Sequence, residues 1–224
     1  MDLIADRGDD RELRDFREEV GEADPVVVVG GRTCWDVGGA PDPAAREVVA
    51  PVGVVQVEPR ELGGRVRAGT EVATLAGELR AVGQFVALPD RPGATVGGAL
   101  AVGRSDVHAL GRGPLRSTLL EGRYVDAWGR TVRAGAPVVK NVSGFDLCRL
   151  LVGSLGTLGL LGEVVLRTRP LPPAFGWWTG PCDVAVAPRV GGGGGGPANG
   201  VPRGGRGGGL IDSPPRGLPG RAGS

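Results

Sequence analysis

The stretch "KNVSGFDLCRLLVGSLGTLGLLGE", residues 140–163, decides how the rest of the chain is interpreted. It is apolar enough to form a core helix, yet glycine interrupts it repeatedly between residues 144 and 162. A glycine inside a helix costs about 1 kcal/mol relative to alanine, so helix stability does not explain this pattern. Residues 145–153 predict a short helix and residues 163–170 a strand. Between them we expect backbone that another group approaches closely.

Composition limits the possible classes of protein. The chain has 224 residues, of which 41% are hydrophobic and 23% charged, enough for one or two modest domains with a core. The formal net charge is only +1, which gives no electrostatic argument for binding nucleic acid. The three cysteines, at 34, 148 and 182, lack the short spacing of zinc or iron–sulfur sites, so we expect no metal site and a reducing compartment.

The chain shows neither a secretory leader nor a membrane span in its pattern. Residues 1–19 are acidic and carry no apolar run, and no stretch reaches the roughly 20 apolar residues of a transmembrane helix. We therefore expect a cytoplasmic protein.

Hydrophobic periodicity predicts an α+β fold rather than a strict alternation of strands and helices. The predicted elements are a helix at 10–20, a strand at 25–29, paired strands at 54–58 and 64–69, a helix at 70–83, a strand at 85–89 and a hairpin at 123–135 that turns near Trp128-Gly129. Residues 90–117 show no period, and such long segments in compact domains are usually functional or disordered.

The helix at 70–83 has the clearest signals. Thr70 is the expected cap, and Glu71 suits the positive end of the helix dipole. The buried stripe should consist of Val72, Leu75, Leu79 and Val82.

Three glycine-rich turns follow or precede strands, and we call them the first turn (residues 30–39), the second turn (92–98) and the third turn (153–162). They fit neither of the common nucleotide motifs. A P-loop needs Gly-Lys before Ser or Thr, but the one lysine, Lys140, precedes Asn141. A Rossmann fingerprint needs a helix directly behind its glycines, and none is predicted behind the first turn.

Two interpretations of these turns remain open from the residues alone. Backbone N–H groups in tight turns bind anions, and glycine lets backbone lie against a flat ligand, which together suit a long ligand with a diphosphate and a planar ring. Alternatively, they are three ordinary turns.

Four segments together resemble a known family. They are "VVVVGGRTCWDVGG", "RVRAGTEVATLAGELRAVGQFVAL", "PGATVGGALA" and "VVKNVSGFDLCRLLVGSLGTLGLLGEVVLRTRPLP". In order and spacing, over roughly residues 10–173, they resemble the vanillyl-alcohol oxidase/p-cresol methylhydroxylase-type FAD-binding family, and within it the flavin subunits of the glycolate oxidases. The resemblance implies a two-subdomain FAD-binding domain and hydride transfer from a small 2-hydroxy acid to flavin.

The resemblance also implies which residues bind the cofactor. In the first turn the diphosphate would lie on Gly30, Gly31, Arg32 and Thr33. The second turn would supply Pro92, Gly93, Ala94, Thr95, Gly97 and Gly98. Ser105, Gly113 and Arg116 fall on further positions of the family pattern. In the third turn Gly156, Thr157, Gly159 and Leu161 would line the isoalloxazine ring. The resemblance gives no catalytic residue in this chain, so the catalytic group is unknown.

Several residues depart from the family pattern. Arg32 stands where the family usually has glycine, and there it either crowds the diphosphate or pairs with it. Asp106, Arg112 and Ser117 stand where the family usually has Gly, Tyr and Asp, and Phe145 replaces a Tyr. The first turn has no "GGH"-type histidine, so we expect the FAD to be bound non-covalently.

The family carries a substrate-covering domain after this region, and here the composition changes instead. A low-complexity tail follows, with an unbroken glycine run at 191–196. We expect a first FAD-binding subdomain at 1–56, a second at 57–173 and a disordered tail at 174–224. The chain is then truncated after the FAD domain, or its tail is read out of the ancestral frame.

Partners follow from the same resemblance. Electrons would pass to an iron–sulfur subunit, beside a second flavin subunit. Two alternatives stay open. One is a flavin-binding fragment without turnover, and the other is an RNA-interacting protein that uses "RGGRGGG" at 203–209.

Single residues are given structural roles in preference to catalytic ones. His108, the one histidine, is expected in an exposed loop, and Lys140 on the surface. Asp146 should anchor the short helix, and Cys148 should be a small core residue. The adjacent residues Trp177 and Trp178 are expected to be apolar residues without a binding role rather than an aromatic binding cage.

Overall fold

The computed structural model describes residues 10–22, 24–89, 91–106, 109–137 and 146–172. Its helices are α1 (Arg11–Val20), α2 (Val72–Ala81), α3 (Val96–Val102), α4 (Ala109–Arg112) and α5 (Leu147–Leu151), with a 3₁₀ turn at Leu115–Ser117. Its strands are β1 (Val26–Val29), β2 (Arg46–Val49), β3 (Val54–Glu58), β4 (Gly63–Arg67), β5 (Gln84–Val86), β6 (Leu119–Val125), β7 (Thr131–Gly135) and β8 (Leu160–Pro170).

Strand β8 is the centre of the larger sheet. It is 11 residues long and pairs antiparallel with β4 on one side and β6 on the other, and its C-terminal end also pairs with β5. The strand order is β3-β4-β8-β6-β7. Val164, Val165 and Leu166 are buried in succession, as expected of a strand covered on both faces. The α+β class and the predicted hairpin at 123–135 are confirmed.

The smaller sheet contains only β1 and β2 among the described residues, paired parallel with Val26 opposite Arg46. Strand β2 was not predicted, because its four residues lie between proline-containing segments and are too few to show a hydrophobic period. The predicted subdomain boundary at residue 56 falls inside β3, which belongs to the larger sheet. The division into two subdomains stays a prediction.

Helix α2 supplies the main apolar contact to the larger sheet. Val72, Leu75 and Leu79 are buried in the core, as the helical period predicts. The inclusion of Val82 in the stripe was wrong: this side chain is 43% exposed. Val82 follows the last helical turn, so the helical period no longer directs its side chain to the core.

The capping role predicted for Thr70 was also wrong. Glu71 is the N-cap residue of α2, and its side chain makes no capping hydrogen bond. The Thr70 hydroxyl instead donates to the carbonyl of Gly53 at 3.1 Å and accepts from the N–H of Gly53 at 2.8 Å. Thr70 therefore joins the start of the helix to the chain that enters β3.

A buried ion-pair network crosses the larger sheet. Arg65 and Arg67 on β4 both donate to Glu163 on β8, each at 2.7 Å and each to a different carboxylate oxygen. Glu121 and Arg123 on β6 lie beside them, with Arg65 Nη1 3.4 Å from Glu121 Oε1. All five side chains are at least nine-tenths buried. The network is the polar centre of one face of the sheet.

The Asp10–Arg67 ion pair is expected to make stability fall in acid. Burial raises the pKa of the Asp10 carboxyl, but its hydrogen bond to Arg67 and the Arg67 charge together lower this pKa below the ordinary value of 3.8. A depressed folded-state pKa contributes stability that is present above the unfolded-state pKa and is lost as the pH falls through the folded-state value. Asp10→Asn keeps an oxygen to cap α1, so it should flatten the acid branch of the pH–stability curve, measured by urea denaturation between pH 2 and 7. An acid branch as steep as that of the wild type would contradict this role of Asp10.

Candidate functional site

The three glycine turns meet around a groove. The larger part of this groove is a cavity of about 320 Å³ between the first turn, the second turn, helix α3 and the start of the third turn. A neighbouring cavity of about 240 Å³ shares part of that wall and extends along β1 toward the start of β8. The volumes fall near the lower end of the range of small-molecule sites. The groove is the main candidate site in the described part of the chain.

The first and second turns touch through glycine. A Cβ atom on Gly31 would overlap the backbone carbonyl of Gly93, and one on Gly30 would overlap the Thr95 side chain. Thr95 in turn caps α3 by accepting from the N–H of Gly98 at 3.2 Å. The two turns can therefore form one wall only because residues 30 and 31 have no side chain.

The third turn is attached to the end of α3. The N–H of Gly153 donates to the carbonyl of Leu100, and the N–H of Leu155 donates to the carbonyl of Ala101, each at 2.9 Å. Gly103 lies so close to Gly153 that a Cβ atom there would approach the Gly153 Cα to 2.7 Å. Helix α3 thus carries the second turn at its start and the third turn at its end, and it sets the distance between them.

Packing within the chain explains the last two glycines of residues 140–163, Gly159 and Gly162. Gly159 leaves room for the ring of Tyr124, and Gly162 leaves room for Leu13 and Phe16 of helix α1. The close approach expected from the sequence is real, but at these two positions the approaching groups are side chains of the same chain.

The charged residues described in the lining of the larger cavity are all positive. Among its described lining residues the charged ones are Arg32, Arg91 and Arg104, and neither a carboxylate nor an imidazole belongs to the lining. Arg32 Nη2 is 2.6 Å from Oε2 of Glu47, which lies outside the lining, and Arg91 Nη1 is 3.5 Å from Cys34 Sγ. The remaining wall is largely apolar. The cavity therefore suits a ligand that is anionic in one part and apolar in another.

The structure brings most of the candidate cofactor residues to this groove. Those that line the larger cavity are Gly30, Gly31, Arg32, Thr33, Ala94, Thr95, Gly98 and Thr157. Those that line the smaller cavity include Gly97, Gly156, Gly159 and Leu161. Pro92 lines neither cavity, and Gly93 supports Gly31 from behind.

Three further candidates lie outside the lining of the groove. Ser105 and Gly113 line a separate small cavity near Arg112, and Arg116 lines none of the three cavities. Arg112 lies over the ring of Phe85, with 5.4 Å between the guanidinium carbon and the ring centroid, which places this region beside β5. The part that the resemblance gives Ser105, Gly113 and Arg116 in cofactor binding stays a prediction.

Sequence reasoning missed several lining residues, notably Cys34, Trp35, Arg91 and Arg104. A signal was present for the arginines, because they flank the second turn and α3 in the sequence. Cys34 and Trp35 lie within the predicted first turn, but the sequence gives no signal that their side chains face a ligand.

Two of the smaller structural predictions are confirmed. Asp146 caps α5 by accepting from the N–H of Arg149 at 3.2 Å. Cys148 is 2% exposed, and burial raises the pKa of its thiol to about 11. His108, Lys140, Phe145, the Trp177-Trp178 pair and the tail lie outside the described residues.

The described ranges also give two negative findings. Within them no three His, Cys, Asp or Glu side chains are grouped closely enough to hold a metal ion. None of their helices has the length and apolar character needed to cross a membrane.

Comparison with known proteins agrees with this geometry. The chain is 32% identical over 167 residues to glycolate oxidase subunit GlcE of Escherichia coli (strain K12), which covers 72% of this chain and 47% of that protein. It is 40% identical over 88 residues to D-lactate dehydrogenase of Archaeoglobus fulgidus, covering 38% and 20%. The chain thus spans less than half the length of these curated relatives. No protein-family model matches it.

The fold has a solved counterpart. A structure of alkyldihydroxyacetonephosphate synthase superimposes with a TM-score of 0.57 at 22% identity, covering 67% of this chain and 28% of that one. This likeness concerns the fold alone. The chain is a relative of glycolate oxidase subunits and D-lactate dehydrogenases, and it has the p-cresol methylhydroxylase-type FAD-binding fold.

Proposed function

We propose that this chain binds FAD non-covalently in the groove and forms the flavin-binding part of an oxidoreductase that oxidises a small 2-hydroxy acid. The observation that carries the proposal is the cavity at the point where the three glycine turns meet, whose described lining residues include three arginines and no carboxylate. The relatives' names support the substrate class, since they include glycolate oxidase subunits and D-lactate dehydrogenases.

The residues present fit the chemistry of FAD. The contact of Gly31 with Gly93 leaves two stretches of backbone bare on one wall, which suits a diphosphate that is bound by N–H groups. Arginine provides the positive charge and planar donors that phosphate oxygens prefer. The apolar wall, which includes Val27, Val28 and Ala99, suits the flat ring systems of a dinucleotide.

The groove binds and orients but offers no proton acceptor of the usual kind. Bound flavin supplies a hydride acceptor for the α-carbon of the hydroxy acid. The hydroxyl proton of such a substrate needs a base, and the described lining of both cavities contains no carboxylate and no imidazole. This favours a second candidate function, a flavin-binding subunit without turnover of its own. In both cases we propose an iron–sulfur subunit and a second flavin subunit as partners, since two relatives are named as subunits.

The test of this proposal is cofactor retention. The full chain, incubated with FAD and desalted, should keep a visible flavin spectrum at close to one flavin per chain, and trichloroacetic acid should release the flavin into the supernatant. A folded but colourless chain would contradict the proposal. Flavin that stays with the precipitate would contradict non-covalent binding.

Alkylation of Cys34 should report where the flavin binds. Cys34 is partly exposed and lines the larger cavity, so FAD should slow its reaction with iodoacetamide at least several-fold, measured by peptide mass spectrometry. Cys148 is the internal control, because it is buried and the raised pKa of its thiol, about 11, leaves little thiolate at pH 8. An unchanged rate at Cys34 in a chain that retains flavin would place the flavin elsewhere.

A further inference from the structure

Arg32 has the backbone conformation of a glycine but carries a charged side chain. Its φ is +52°, in the left-handed region that residues other than glycine seldom occupy. The two residues before it are glycines that pack against the second turn. The chain therefore retains an arginine at a position where glycine would be less strained, directly beside the bare backbone of the groove.

Two contacts hold the Arg32 guanidinium at the cavity wall. Its NH2 group lies 2.6 Å from Glu47 Oε2, and its central carbon lies 4.7 Å from the ring centroid of Trp35. Glu47 reaches it from β2, where it stands opposite Val27 of β1. Arg32 and Glu47 are each about half exposed, so this ion pair by itself contributes little to stability.

Arg32 has N–H donors that its hydrogen bond to Glu47 does not use. A guanidinium carries five N–H donors, and the bond to Glu47 uses one of its groups. Trp35 lines the same cavity and limits the rotation of the guanidinium by stacking on its plane. An arginine fixed in this way is organised to bind phosphate oxygens before the ligand arrives.

We propose that Arg32 is a specificity-determining residue that recognises the diphosphate of the ligand, that the Trp35 ring positions Arg32, and that Glu47 opposes the anion. This inference rests on the proposed FAD site and deepens it. Glu47 carries a negative charge within hydrogen-bond distance of the recognising group, so an arriving diphosphate competes with it for the same guanidinium. The Arg32 side chain then binds phosphate oxygens that, with a glycine at this position, only the backbone N–H groups of the first turn would bind.

The test compares FAD with riboflavin, which has the same ring but no phosphate. The affinity of the full chain for both ligands is measured by titration calorimetry for the wild type, Arg32→Gly, Arg32→Gln and Glu47→Gln. We expect Arg32→Gly and Arg32→Gln to weaken FAD binding about tenfold or more and to leave riboflavin binding unchanged. Glu47→Gln should tighten FAD binding about threefold or more, an effect opposite to that of losing a structural contact.

Arg60→Gln is the matched control, because Arg60 is an exposed arginine in the turn between β3 and β4. FAD binding that is unchanged or tighter in both Arg32 variants would mean that Arg32 crowds the ligand, and would overturn the inference while leaving the FAD site in place. Weaker binding in Glu47→Gln would overturn the role given to Glu47. No binding of FAD by the wild type would overturn the proposed function and this inference together.

Discussion

Glu163→Gln is expected to destabilise the chain by about 3–5 kcal/mol, a large part of the roughly 5–15 kcal/mol that holds an ordinary domain folded. Glu163 is 2% exposed and accepts from both Arg65 and Arg67 at 2.7 Å. Removing its charge leaves two buried guanidinium groups beside a neutral amide, which cannot accept through both of its former oxygens. The cost is the incomplete compensation of two buried cations that have each lost one charged partner, and not only the loss of the attraction.

The free energy of unfolding, obtained from urea titrations followed by circular dichroism, is the quantity to compare. Glu61→Gln is the matched control, because Glu61 is exposed in the turn between β3 and β4 and should change stability by no more than about 0.5 kcal/mol. A loss below about 1 kcal/mol in Glu163→Gln would show that water reaches the network and screens it.

Gly31→Ala is expected to abolish flavin binding, with at least a hundredfold loss of affinity for FAD. The new methyl group would overlap the carbonyl of Gly93, and backbone on both sides leaves no flexible side chain to move away. The first and second turns must therefore separate, and a displacement of about 1 Å is enough to lose well-placed contacts. We expect a stability cost of about 1–3 kcal/mol, the usual range for overpacking.

Gly77→Ala separates the site effect from a general effect of replacing glycine. Gly77 lies on helix α2 with open space around its Cβ position, so alanine there should stabilise the chain by roughly 0.5–1 kcal/mol and leave FAD binding unchanged. Gly31→Ala protein that remains folded and still binds FAD with wild-type affinity would disprove the contact between the two turns as the basis of the site.

Hydrophobic periodicity was sufficient to predict the elements that bury one apolar side. Helix α2 shows this, since Leu75 and Leu79 are buried where the helical period puts them. The hairpin of β6 and β7 was readable because Trp128-Gly129 is a turn signal between two alternating segments. In both cases the information lies within about a dozen consecutive residues.

The buried ion-pair network could not be predicted from the sequence, because its partners lie far apart along the chain. Arg65 and Arg67 in "GRVRAG" alternate with small and apolar residues as in a strand with one wet face, yet both are buried. Their partner Glu163 lies 98 and 96 residues further along the chain. A local pattern assigns charged side chains to solvent, and only the pairing of β4 with β8 reverses that assignment.

The candidate site was predicted in part. The glycine motifs identified three turns that the structure brings together, but they could not show that Gly159 and Gly162 serve Tyr124 and helix α1. Likewise, the placement of Ser105 and Gly113 away from the groove depends on how the chain between α3 and β6 packs on β5.

The attachment of the third turn to helix α3 has a consequence for the order of events in folding. The groove needs residue 31 against residue 93, and residue 155 against residue 101, so each wall closes a loop of more than fifty residues. Long loops close late, because their entropy must be offset by contacts that have already formed. A growing chain therefore has no complete groove until it has been synthesised beyond the third turn, and we expect flavin to bind the finished domain rather than to guide its assembly.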